Sequence, residues 1–540
     1  VPVTATVAGP MIPRSRAIRA AVRGWSPVII RTRMPARRAS AMATAASGRG
    51  GSRMPTIPQW TRSCSSATPC CRTAMNDMFD TRRLLSHGFT PGRKIALDIA
   101  SRALEAVDPR RAVLSRLRVQ SGRLHIDDDS YNLDDFEHIY VVGGGKACYP
   151  QAVALEELLG DRIDDGFISV KQHTRAALVE RMGRLSRMRV AESAHPVPDE
   201  SSLDAGREIL AIAERAQEHD LVFCLMSGGT SAQVIAPVEG VSVADKAEVN
   251  HLLVTSGAEV TEIMTVRGHL SRIKSGRLAE HLLPATVITL TVSDEKTDSL
   301  VWNTDWVTAN GTTQADAVAL LTRYGLWERM PASVRRALSA RESPRTAETA
   351  ANDTKVHRYM VVRTRDLFDA AVARTAELGL TPLSLTTLLG GESSEVGRAL
   401  ASIVREVVLS AHPVAAPCAL IATGETAVRL PPEQVGEGGA NQELAAGASL
   451  DLEPDAPIAV LALDTDGSDG PTQIAGALTD GTTSRRAAAA GVDLHRALKV
   501  HDISRALRAA GDELVTGPTG TNVNDIVIMV ALPRNVASPS

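Results

Sequence analysis

Short apolar runs, each closed by a polar turn, recur along the chain. Residues 139–142 lead into Gly143-Gly144-Gly145-Lys146, and 221–226 lead into Ser227-Gly228-Gly229-Thr230-Ser231. Residues 286–292 lead into Ser293-Asp294, 419–422 into Thr423-Gly424-Glu425-Thr426, and 458–463 into Asp464-Thr465-Asp466-Gly467. None alternates between apolar and polar positions, so each predicts a strand covered on both faces. Amphipathic helices are predicted between them. At 202–217, Ser202 can cap and Leu203, Ile209, Leu210 and Ala213 share one face. Two further helices are expected at 364–378 and 393–410, and a last apolar strand at 526–531. Strands alternating with helices predict an α/β fold built on a parallel, Rossmann-like sheet with right-handed crossovers. Ligands bind such sheets at the carboxyl ends of strands, where all five polar turns would lie. The uncharged stretch 407–424 is split by Pro413 and Pro417, so it predicts a helix end followed by a strand, not a membrane span. The charged stretch 335–356 is expected to be a loop or linker. The domains expected are 85–335 (α/β), 336–412 (a connecting helical segment) and 413–535 (a second α/β domain).

Composition changes this picture at one end. The 540 residues are 44% hydrophobic and 22% charged, as in soluble globular proteins. Residues 1–74, however, hold 12 of the 59 basic residues, all Arg, and none of the 62 acidic ones. The remainder carries a net charge of −15. A stretch rich in Arg, Ser, Ala and Pro without acids reads as a transit peptide, a basic arm or translated sequence upstream of the true start. The last is favoured, with Met75 opening an ordinary-looking stretch, and 1–74 is left out of the fold. Cys148, Cys224 and Cys418 lie far apart in apolar runs and read as buried free thiols of a cytoplasmic protein. An acidic body with 3% aromatic residues argues against a nucleic-acid partner.

Several turns carry candidate chemistry. The Gly144-Gly145-Lys146 turn offers backbone N–H groups and a charge to phosphate, although it fits neither the P-loop nor the G-x-G-x-x-G spacing. Residues Ser227, Gly228, Gly229, Thr230 and Ser231 form a second candidate anion cradle. The segment 267–277 crowds four cations with His269, among them Arg272 and Lys274, which suits a carboxylate or phosphate ligand. Asp464, Asp466 and Asp469 follow a strand, where carboxylates can hold Mg²⁺ against nucleotide phosphates. The loop 516–525, with Thr519, Asn522 and Asn524, is shaped to grip a polyhydroxy ligand.

Taken in order, these motifs resemble the bacterial and archaeal glycerate 2-kinase family from about Pro91 to Leu532. They are joined by His195-Pro196-Val197-Pro198-Asp199, by His269-Leu270-Ser271-Arg272-Ile273-Lys274, and by Gly438-Gly439 with Asn441-Gln442-Glu443. The resemblance implies two α/β domains, the second smaller, with the active site in the cleft between them. It implies transfer of the ATP γ-phosphoryl group to the 2-hydroxyl of D-glycerate, or of a closely related sugar acid, with Mg²⁺ or another divalent cation. Lys146 matches the family lysine of the Gly-Lys turn. Asp466 or Asp469, with Asp294 nearby, would hold the metal, and Asp294 is also the candidate base. His269, Arg272, Lys274, Asn441, Glu443, Thr519, Asn522 and Asn524 would face the substrate. The implied partners are a small sugar acid and a nucleotide, with no nucleic acid and no membrane; a homodimer is left open. The chain departs from the family pattern at Ala440 (usually Arg), at Thr230 (usually Gly), at 295–298 and at 303–306. A silent relative that only binds a sugar acid or nucleotide is the alternative, with hydroxypyruvate reductase a more distant one.

Overall fold

The computed structural model describes residues 78–256, 258–294, 305–308, 311–340, 354–430 and 436–534. The extension 1–74, the altered stretch 295–304 and the charged residues 341–353 lie outside these. Six parallel strands form the first sheet: β1 (His138–Gly144), β2 (Asp165–Lys171), β3 (Arg189–Ser193), β4 (Asp220–Ser227), β5 (Thr286–Ser293) and β6 (Val356–Arg363). Their order is β3-β2-β1-β4-β5-β6, the doubly wound arrangement. The order reverses between β1 and β4, so the turns at 143–146 and 227–231 emerge side by side at the switch point.

Burial explains the unbroken apolar runs. In β4, Leu221, Phe223 and Leu225 pack into a core with Tyr149, Ala152 and Leu155. Val222, Cys224 and Met226 face the other way, against Ile209, Leu210 and Ala213 of the helix Glu200–Ala213. That helix starts two residues earlier than expected because Asp199 caps it, with Ser202 closing a reciprocal capping box. The expected helices near 364 and 393 are present as Thr364–Glu377 and Ser393–Ser410.

The second sheet contains β7 (Thr381–Leu389), β8 (Cys418–Gly424), β9 (Ile458–Asp464), β10 (Gly476–Asp480), β11 (Glu513–Leu514) and β12 (Asp525–Ala531), in the order β7-β8-β12-β9-β10-β11. Only β7 and β8 are parallel; β12 runs antiparallel to both of its neighbours. The runs at 419–422 and 458–463 therefore join a mixed sheet instead of extending the parallel one. Residues 336–412, expected as a helical connector, contribute β6 to one sheet and β7 to the other. The helix Thr90–Ala106 belongs with the second sheet: Gly92 lies against Ala459, and Arg93 reaches Asp480 at 2.5 Å and Asp512 at 2.6 Å. Cys148, Cys224 and Cys418 are buried free thiols, as expected. Among the described residues no helix is long and apolar enough to cross a membrane.

Candidate active site

The two switch-point turns are braced against each other. Lys146 N donates to Gly228 O (2.9 Å), Ala147 N to Ser227 Oγ (2.9 Å), and Gly145 N to Gln233 Oε1 (3.1 Å). Thr230 Oγ1 returns a bond to Gly144 O (3.0 Å). The first turn was expected to offer its N–H groups to phosphate. Those of Gly145, Lys146 and Ala147 already have acceptors inside the protein, so the turn is a strut that aims the Lys146 side chain. Gly229 has φ +91°, and a Cβ there would come within 3.1 Å of Lys146 Cγ and 3.4 Å of His195 Cδ2. Only glycine lets the second turn pass this close to both.

Lys146 leaves the first sheet and meets Asp466, from the turn after β9 of the second sheet, in an ion pair with little exposure. Lys171, at the end of β2, stands 4.0 Å from the same carboxylate and donates to Ser468 Oγ (2.6 Å). Burial works against each charge, but Asp466 and Asp464 hold the Lys146 ammonium above its ordinary pKa. The two lysines in turn hold Asp466 below the usual carboxylate range. His195 beside them is pushed down to about 4 by burial and by Lys146 and Lys171, so it is neutral at pH 7. Asp294, just past β5, is tied to the 516–525 loop: Asn522 Nδ2 donates to its Oδ2 (3.0 Å) and Asn524 Nδ2 to its carbonyl (2.6 Å). Burial raises the Asp294 carboxyl to about 6, against the pull of Lys146 and with repulsion from Glu425. Thr519 is spent on the turn after β9, bonded to the Thr465 carbonyl.

Beyond Asp466 the strand ends of the second sheet enclose a cavity of about 290 Å³. Its acidic wall holds Glu425, Glu443, Asp464, Asp469 and Asp525, and among the described residues no Lys or Arg lines it. Asp464 and Asp525 are register partners on β9 and β12. Burial, and then repulsion from Asp466 for Asp464 and from Asp464 for Asp525, lifts both well above the ordinary carboxylate range. Glu443 is paired with His501 (2.8 Å). Asp469 caps the helix Ala440–Leu450, accepting from Asn441 N (3.1 Å), Gln442 N (2.8 Å), Gln442 Nε2 (3.2 Å) and Asn441 Nδ2 (3.4 Å). The expected metal pair Asp466–Asp469 is thereby divided. One carboxylate is engaged by lysines and the other by a helix N-terminus. Among the described residues no group of three or more His, Cys, Asp or Glu side chains is gathered as a metal site.

The cationic segment divides as well. Arg272, expected at the substrate, points outward to Glu214 (3.1 Å) with both side chains substantially exposed. Lys274 turns inward, is 3% exposed and donates to Ser231 O (2.6 Å), the carbonyl that Arg267 also approaches (3.5 Å). Lys246 joins them through Leu270 O (3.0 Å). Burial, then the neighbouring cations Arg267 and Arg277, lowers Lys246 to about 7. Lys274 is lowered further, by burial and by Arg267 and Lys246. His269 is bridged to Arg277 (3.0 Å) and Thr312 (3.0 Å) and lowered to about 4 by burial and Arg277. Four basic side chains, Lys246, Arg267, Lys274 and Arg277, thus collect behind Ser231, with the ammonium charge of the two lysines disfavoured by burial and by their neighbours, while Lys146 stands on the other side of the same turn.

Three participants were not singled out from the sequence, Lys171, Lys246 and Asp525, and Asp464 was grouped with Asp466 and Asp469 without its separate place in the cavity wall. Lys171 and Asp464 each close an apolar strand at its carboxyl end, a signal that was available. Lys246 sits in a helix, Val243–Thr255, whose pattern says nothing of a neighbour across the fold.

Known proteins resemble the chain over most of its described length. A family model described as a domain of unknown function (DUF4147) matches residues 95–339, and the MOFRL family matches 418–525. The glycerate 2-kinase of Pyrococcus horikoshii is 37% identical over 445 residues, covering 82% of this chain and 98% of that protein. The D-glycerate 2-kinase of Thermotoga maritima is 36% identical, covering 81% and 97%. The crystal structure of glycerate kinase from Thermotoga maritima superimposes with a TM-score of 0.67 at 35% identity, over 81% of this chain and 99% of that one. Likeness at this level over nearly the whole length of these relatives, in sequence and in fold, means that the chain belongs to the glycerate 2-kinase family.

Proposed function

We propose that the protein transfers the γ-phosphoryl group of ATP to the 2-hydroxyl of D-glycerate, or of a closely related small sugar acid. The observation that carries this reading is the meeting of Lys146 and Asp466 across the two sheets, at the switch point of the first, with Asp294 beside them. Phosphoryl transfer asks a protein for positioning and charge neutralisation more than for covalent chemistry. Lys146, kept charged by Asp466, neutralises the phosphate oxygens, and Lys171 adds a second charge on the same side. The second turn, Ser227 to Ser231, lies between these lysines and the cations at Lys274 and Arg267. The acceptor's carboxylate is drawn to that second group, and its hydroxyl is held toward the phosphate. Asp294, held by Asn522 and Asn524, takes the proton of the attacking hydroxyl. A carboxyl titrating at about 6 is ionised at neutral pH yet basic enough to do so. A divalent cation bound at the acidic strand ends would neutralise charge on the β- and γ-phosphate oxygens.

The test is to incubate the full chain with ATP, Mg²⁺ and a panel of C3–C5 sugar acids and to follow ADP. The expected result is ADP release dependent on one acid, with a product phosphorylated at the 2-position. The proposal fails if no acid stimulates ADP release, or if NADH is consumed with hydroxypyruvate instead.

A further inference from the structure

The cavity at the strand ends of the second sheet has more acceptors than the protein can satisfy. Five carboxylates line it. Glu443 is paired with His501 and Asp469 with a helix N-terminus, whereas Asp464 accepts the Asp466 N–H (2.9 Å) and Asp525 meets the Asn441 side chain, and neither has an ion-pair partner among the described lining residues. Asp464 and Asp525 face each other across adjacent strands with no Lys or Arg among the described lining residues, and Lys146, engaged by Asp466, acts on Asp464 from outside the cavity. A separate observation points the same way. Asn441 is 1% exposed and lines this cavity; its amide Nδ2 is turned to Asp469, which leaves Oδ1 buried without a hydrogen-bond partner. Two unbalanced carboxylates and an orphaned amide oxygen are all acceptors, and what satisfies such a set is a cation.

We infer that Asp464, Asp525 and the Asn441 amide oxygen form a binding site for one divalent cation of the Mg²⁺ type. The donor set suits that ion: hard oxygen ligands, two of them carboxylates, with the remaining positions left to water or phosphate oxygen. Thiol and free imidazole ligands, which softer metals would select, are missing from the lining among the described residues, where His501 is taken by Glu443. The remaining wall, with Val428, Leu430 and Pro471, is apolar and leaves room beside the ion for the body of a ligand. The inference deepens the kinase reading, and it moves the expected metal position from Asp466 and Asp469 to their neighbours.

Mn²⁺ alone, without nucleotide, is the probe. Titration of the full chain followed by electron paramagnetic resonance should give one bound Mn²⁺ per chain, displaced by excess Mg²⁺. Asp525→Asn and Asp464→Asn should each weaken it at least tenfold, and Asn441→Leu severalfold. Thermal melting supplies a second readout that also reports folding. Without added metal, Asp525→Asn should melt at or above the wild type, because a buried like-charge pair has been relieved. Added Mn²⁺ should then raise the wild-type midpoint and leave that of the variant unchanged. Wild type that binds no Mn²⁺ at millimolar concentration, or variants that bind it undiminished, would overturn the site. Mn²⁺ bound as described by a protein that phosphorylates no sugar acid would sink the kinase reading and leave the cation site standing. Turnover without this Mn²⁺ signature would do the reverse.

Discussion

Two groups of buried charge can be set side by side. In one, Arg93 and Arg486 grip Asp480 and Asp512, with His87, Thr482, Thr483 and the Phe89 N–H completing the shell. Every carboxylate oxygen there has at least two donors, and despite burial both Asp480 and Asp512 are held below the ordinary carboxylate range by Arg93 and Arg486. In the other, at the ends of β9 and β12, Asp525 is buried and Asp464 half-buried, and both are pushed the opposite way. Burial of charge is common to both groups, so burial does not mark the functional one. The mark is the imbalance. A closed network fastens the helix Thr90–Ala106 to the second sheet, whereas a surplus of one sign waits for a ligand. The cations behind Ser231 are the complementary surplus.

The sharpest way to test this contrast is to remove one cation beside the unbalanced site and one from the closed network. Lys146→Ala should lower kcat by about 10³-fold or more, because its charge is spent on the transferring phosphate. Its melting midpoint should move less than that of the next variant, and unchanged turnover would remove Lys146 from the site. Arg93→Met should do the converse. Breaking a fully buried network by deleting one partner costs about 3–5 kcal/mol, read by urea unfolding, while kcat per folded molecule stays near wild type. The pH dependence has a definite sign. Asp480 and Asp512 have folded-state pKa values below their unfolded ones, so their contribution is present above about pH 4 and is lost as pH falls below it. The acid limb of the wild-type stability curve should therefore be steeper than that of Arg93→Met, and parallel limbs would contradict the pairing.

A smaller effect is expected at Asp294. The groups that set its charge are Lys146, Glu425 and the Asn522 amide. As a base titrating at about 6, it should make kcat/KM rise with pH through that value and level off above it. Asp294→Asn should lose about 10²-fold or more at the plateau and show no such rise. A variant that keeps the wild-type profile would assign the proton to another group. The smallest effect belongs to Arg272. An exposed pair with Glu214 contributes at most about 1 kcal/mol, so Arg272→Ala should leave both stability and KM for the acceptor nearly unchanged. A large rise in KM would return Arg272 to the substrate.

Much of the architecture could be read from the chain itself because local rules carried it. Uninterrupted apolar runs marked strands covered on both faces, and Ser202 and the 3.6-residue periodicities marked helices, although Asp199 and not Ser202 proved to be the cap. Candidate chemistry lay at strand ends because parallel α/β sheets expose their ligands there. Which sheet each strand would join was not readable. The runs at 419–422 and 458–463 look like those of β1 and β4, since a buried central strand has the same apolar pattern whether its neighbours are parallel or antiparallel. For the same reason 336–412 did not reveal that it feeds both sheets.

The local sequence determined which residue types stand at the turns: lysine after one strand, three aspartates after another, hydroxyls and amides in the last loop. The tertiary structure alone decided their partners. It turned Lys274 inward and Arg272 outward two residues apart, took Asp469 for a helix cap, and left Asp464 and Asp525 unbalanced against an orphaned Asn441 oxygen. The physical reason is range. Propensity and periodicity act between residues a few positions apart, whereas charge pairing and desolvation depend on neighbours that only the folded chain brings together.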